Sequence, residues 1–201
     1  MNRLPAGVGQ SLQAIKNVPL PVPAAFRTEG MPQLVRNLFY GQLAFFGLYT
    51  LSNGPNKMKL KRTFTVSPES GMQSLATFHL CHTDAMMCAL NLGILGTVGS
   101  YVCRARGANT FTQILGLGAL GASLAVAVDA RGNASQVQAG SLGLSAAMLT
   151  YACFAQPQYF AVARFHPFTF VSGALLYGML YNDKAVVGGA SAGYIAFLLA
   201  L

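Results

Sequence analysis

The chain has 201 residues, 53% of them hydrophobic and only 9% charged, about a third of the charge fraction of a soluble domain. Lipid rather than water is therefore the expected solvent for most of it. The net charge of +8 comes from basic residues that lie almost entirely outside the apolar runs, so they read as anchors at a membrane surface. No basic-aromatic module is visible, which argues against nucleic-acid binding.

Residues 1–33 form a first region, carrying Pro5, Pro19, Pro21, Pro23 and Pro32 and few apolar clusters. Such a tail cannot bury enough surface to fold alone. Arg3, Lys16 and Arg27 precede its first acid, Glu29, a basic, acid-poor character that fits a mitochondrial address. We expect the tail to be retained and held by partner proteins.

Residues 34–201 form the second region. Six apolar segments are expected at about 34–53, 75–103, 110–128, 137–155, 159–180 and 185–201, most of them near the about 20 residues that a spanning helix needs. Turn and charged residues separate them at Ser52-Asn53-Gly54-Pro55-Asn56, Arg104-Ala105-Arg106-Gly107, Asp129-Ala130-Arg131-Gly132-Asn133, Gln156-Pro157-Gln158 and Asn182-Asp183-Lys184. With six spans, the tail, Arg104, Arg106 and Arg164 fall on one side. The bias puts the N-terminus on the cytoplasmic or matrix side, although Lys57, Lys59, Lys61 and Arg62 of the first loop oppose it. Gly93, Gly96 and Gly99 in the second segment, Gly116, Gly118 and Gly121 in the third, and Gly189 and Gly193 in the sixth have the spacing that lets helix backbones approach closely.

Cys81, Cys88, Cys103 and Cys153 all sit in or beside apolar segments and read as small buried hydrophobes. With His82, two of them could be imagined around a metal ion, but the spacing matches no usual zinc pattern. Nothing positions a pair of histidines for haem. His82 and Asn91, nine residues apart, face similar sides if both are helical, and either a reactive array or plain interhelical hydrogen bonding suits them. Asp84 is either an intramembrane functional acid or a helix cap beside Thr83. Ser141 and Ser145 are most simply packing residues, and His166 before Pro167 an interfacial one.

Several short stretches share one order with a known family. Cys81-His82-Thr83-Asp84-Ala85-Met86-Met87-Cys88-Ala89-Leu90-Asn91, then Gly107, then Gly140-Ser141-Leu142-Gly143, then Val186-Val187-Gly188-Gly189-Ala190-Ser191-Ala192-Gly193 together resemble the rhomboid intramembrane proteases. Lys61-Arg62-Thr63-Phe64-Thr65-Val66-Ser67-Pro68, Leu75-Ala76-Thr77-Phe78-His79 and Phe168-Thr169-Phe170 are similar to its mitochondrial branch. The resemblance covers about residues 34–201. It implies an all-α membrane protein, a six-transmembrane-helix bundle with an extended N-terminal tail, in the mitochondrial inner membrane with its N-terminus on the matrix side.

Active members of that family carry out acyl transfer with a serine nucleophile, a histidine base, and His and Asn side chains at the oxyanion. Carried onto this chain, the oxyanion positions fall on His82 and Asn91, the nucleophile on Leu142 and the base on Val186. A second register places Ser145 at the nucleophile but loses the following glycine. Met87 replaces a further histidine four residues before Asn91. In either register the base is a valine, and a serine without a base is a poor nucleophile.

The resemblance thus implies no catalysis, no cofactor and no metal. It implies a scaffold within a larger inner-membrane assembly, such as a respiratory complex, an ATP synthase or a translocase, with other membrane subunits and lipids as partners and bound phospholipid such as cardiolipin plausible. The alternatives are a pseudoprotease that holds client helices in quality control, and a serine protease that uses Ser145.

Overall fold

A computed structural model describes residues 30–66, 73–132, 142–161 and 167–201; the tail expected over 1–33 lies outside them except for its last four residues. The described chain is all-helical. Helix α1, Gln33–Leu51, begins directly after Pro32, a residue that can precede a helix but not continue one, and ends where Ser52 turns extended (φ −71, ψ 135). Helix α2, Gly54–Phe64, starts with Pro55 in its first turn, buries no residue, and carries Lys61 and Arg62 in its last turn. It is held to the next element by Thr77, whose hydroxyl donates to the Thr63 carbonyl at 2.6 Å.

The second apolar segment is not one helix. A short α3, Gln73–Thr77, and a tight turn over Phe78–Leu80 precede the bend at Cys81–Asp84. Asp84 then restarts the helix, its carboxylate accepting the Met87 N–H at 2.9 Å, and α4 runs Ala85–Ile94. Of the two readings of Asp84, the geometry is that of the cap. A wider π turn, Leu95–Gly99, leads into α5, Ser100–Gly132. Gly107 interrupts α5 with φ 88 and ψ 165, in the left-handed half of backbone space that a residue with a Cβ enters only under strain. This is the break expected from Arg104-Ala105-Arg106-Gly107.

Helix α6 is Leu142–Ala155, α7 a single turn at Gln158–Ala161, α8 Pro167–Leu180 and α9 Lys184–Leu198. Asp183 caps α9 by accepting from the Val186 N–H at 3.4 Å, after Asn182 has made the reversal at φ 52. Helix α9, bounded by its Asp183 cap and by Leu199, is shorter than expected: its 15 residues extend about 23 Å, against about 30 Å of bilayer hydrocarbon. The continuous run Ala85–Asp129, 45 residues, is the one stretch among the described residues long and apolar enough to cross a membrane, and its most apolar window is only 28% buried within the molecule. The apolar side chains of Leu120, Leu124 and Val128 point outward.

The crossing of α5, α6 and α9 sets the centre. A Cβ on Gly121 would stand 2.5 Å from the Gly188 carbonyl oxygen, and one on Gly143 2.8 Å from that of Ala185. A Cβ on Gly189 would collide with the backbone of Gly143, and one on Gly193 with that of Ala147. Dispersion contacts between bare backbones replace side-chain packing here. Of the glycines expected to serve helix packing, Gly118, Gly121, Gly189 and Gly193 sit in this crossing. A Cβ on Gly99 would stand 3.2–3.4 Å from Leu95, Met148 and Phe111, and Gly96 is buried in the π turn. Gly93 is a correction: a Cβ there would meet nothing within 4 Å, because its side of α4 faces no neighbouring helix. A larger core of Val35, Phe39, Leu92, Val102, Phe111 and Tyr151 joins α1, α4, α5 and α6. All four cysteines are buried and none is in a disulfide.

Candidate functional site

Four polar side chains meet in the interior between α1, α4 and α6. Gln42, His82, Asn91 and Ser145 are all less than 5% exposed. The Asn91 amide N–H donates to Gln42 Oε1 at 2.7 Å, and its Nδ2 lies 3.4 Å from His82 Nε2. The Ser145 hydroxyl donates to Asn91 Oδ1. Asn91 is therefore the hub, with its nitrogen turned to α1 and the Cys81–Asp84 bend and its oxygen turned to α6. Buried polar groups with partners of this kind rigidify a core, whereas unpaired ones are costly.

His82 reaches this network from a different place than its spacing suggests. It precedes α4 rather than lying on it, so it shares no helix face with Asn91. The Cys81–Asp84 bend carries it inward instead. Gln42 belongs to the site and was not singled out in the sequence. Its one signal is a polar residue in the apolar half of α1, and Gln33 in the same helix is exposed.

The proton of Ser145 goes to an amide oxygen, which is not a base. On the facing helix, Val186 is buried in a cluster with Ala146 and Ala190, against which Leu142 and Tyr177 also pack. Leu142 and Val186 thus stand in one apolar patch and line the same cavity, of about 290 Å3, together with Met87, Ser145, Phe170 and Tyr177 among others. Ser145 lies on this wall as well, with its hydroxyl turned back into the polar network.

The remaining histidine of the described residues, His79, is used elsewhere. Its Nε2 is 3.0 Å from Ser123 Oγ, and Ser123 donates to the Leu75 carbonyl at 2.7 Å. The Ser123 proton being committed, His79 donates from Nε2, which ties the start of the second apolar segment to α5. Ser141 and His166 lie outside the described residues. Among the described residues no three His, Cys, Asp or Glu side chains gather as metal ligands. At the loop end of α9, burial pushes the Asp183 carboxyl above the usual carboxylate range, against the backbone N–H groups of Val186 and Ala185, which pull it down.

The arrangement provides a hydroxyl without a base beside an apolar cavity, and a buried hydrogen-bond hub that joins three segments of the chain. No family model matches the chain, and no curated protein matches it.

Proposed function

We propose that the chain is a non-catalytic, rhomboid-like integral membrane protein that serves as a structural subunit of a larger assembly in the mitochondrial inner membrane. The observation that carries the non-catalytic part is the pairing of Ser145 with Asn91 while Val186 occupies the facing position on α9. A nucleophilic hydroxyl needs a base within hydrogen-bond reach, and the Ser145 hydroxyl is bonded to the Asn91 amide oxygen while His82 lies against the nitrogen of that same amide. The membrane part is supported by the outward-facing apolar surface of the Ala85–Asp129 run. A core helix of a water-soluble protein would be mostly buried instead.

Six spans fit the order of the helices if α1, the run Ala85–Arg106, the remainder of α5, α6, α8 and α9 each cross once. The small-residue crossing of α5, α6 and α9 supports a rigid body suited to scaffolding rather than to gating.

Two measurements on the full chain, purified in mild detergent from its native membrane, test the reading. A fluorophosphonate probe should leave Ser145 unlabelled. Native electrophoresis with mass spectrometry should find the chain in stoichiometric amounts within one large complex. Labelling that disappears in Ser145→Ala would overturn the non-catalytic reading. A lone monomer with scattered substoichiometric companions would replace the scaffold with a client-holding role.

A further inference from the structure

The cavity beside Ser145 has a volume of about 290 Å3 and is lined from α4, α6, α8 and α9. That is about twice the size of an apolar cavity known to hold one benzene ring. Its polar wall atoms are already committed. Ser145 donates to Asn91, and the Tyr177 hydroxyl donates to Met87 Sδ at 3.4 Å. A water molecule needs two to four polar partners and would find few here. An empty space of this size would forfeit the dispersion contacts of every side chain around it. The cavity is therefore a site for something apolar.

Shape and charge narrow the choice. Along their length α4 and α8 are barely in contact, and the Tyr177–Met87 pair bridges the gap between them. Leu90 lines the cavity and is also exposed, so the cavity opens sideways onto apolar surface. A spanning helix of another protein, about 10 Å across with its side chains, could not pass between α4 and α8 without breaking the Tyr177–Met87 bridge. No Lys, Arg or His lines the wall, so a free fatty acid would leave its carboxylate without a partner.

We infer that this cavity holds one acyl chain of a bilayer phospholipid, inserted sideways between α4 and α8, with its headgroup outside. The inference rests on the membrane reading of the previous subsection, but it adds a ligand and a place for it.

The test is photocrosslinking of the full chain in nanodiscs that contain phosphatidylcholine with a mid-chain diazirine, with adducts mapped by mass spectrometry. Adducts are expected on Met87, Leu142, Ala146 and Leu149 in addition to the outward-facing Leu120, Leu124 and Val128. In Gly173→Phe the cavity adducts should fall about tenfold while the outer ones stay. Gly173 lines the cavity and a Cβ there meets nothing within 4 Å, so a side chain added at this position starts into open space; Ala146→Leu fills the cavity from the opposite wall as a second variant.

Outer adducts without cavity adducts overturn the acyl-chain site and leave the membrane reading intact. Absence of both overturns the membrane reading as well. A parallel sample with diazirine-palmitate that alone labels the cavity would reassign the site to a free fatty acid. Crosslinks from the cavity residues to a co-purified polypeptide would give the site to a protein partner.

Discussion

Asn91 shows how much one side chain can carry. Its oxygen accepts from Ser145 and its nitrogen serves Gln42 and His82, so Asn91→Ala removes contacts to three buried polar side chains at once. The expected cost is about 2–3 kcal/mol, read as thermal unfolding of the purified chain in detergent. Ser145→Ala removes one donor only and should cost about 1 kcal/mol. Equal losses in the two variants would mean that Asn91 is not the hub. The sequence singled out three members of this network because His82, Asn91 and Ser145 stand in stretches that resemble a known motif. Gln42 was not legible. It lies 49 residues before Asn91, and only tertiary packing decides which of the two glutamines of α1 turns inward.

The elements were more legible at their ends than along their length. Thr83-Asp84, Gly107 and Asn182-Asp183 each stop or start a helix where turn or capping chemistry is written in the residues themselves. Removing the Asp84 cap in Asp84→Ala should destabilise the chain by about 1 kcal/mol. The glycines were only partly legible, because spacing tells that a helix has a small-residue face but not what stands opposite. Gly189→Leu should prevent α9 from seating on α6, at a cost of roughly 3 kcal/mol or more, whereas Gly93→Ala should be neutral or gain up to about 1 kcal/mol through helix propensity. Both are checked by unfolding in the same detergent. A tolerated Gly189→Leu would contradict the close crossing. Apolar composition had also suggested longer helices than form, since Cys81–Asp84 bends where the residues are still apolar enough to read as one segment.

At the scale of the whole molecule the proposed six crossings make a definite prediction about sides. With the native cysteines replaced by alanine, single cysteines at Lys59 and Asn182 should react with an impermeant maleimide from one face of the membrane, and cysteines at Arg106 and Pro157 from the other. Reaction of all four from the same face would sink the six-crossing arrangement. In that arrangement the short helix α9 carries a further consequence. A crossing only about 23 Å tall would oblige the surrounding bilayer to thin beside it, and the strained annulus of lipid is costly in proportion to the mismatch. Two such bodies share one annulus when they meet, so the lipid itself draws the chain toward other short-spanned neighbours before any specific contact forms. In vesicles of increasing lipid chain length its clustering should therefore rise, and in thin bilayers it should disperse.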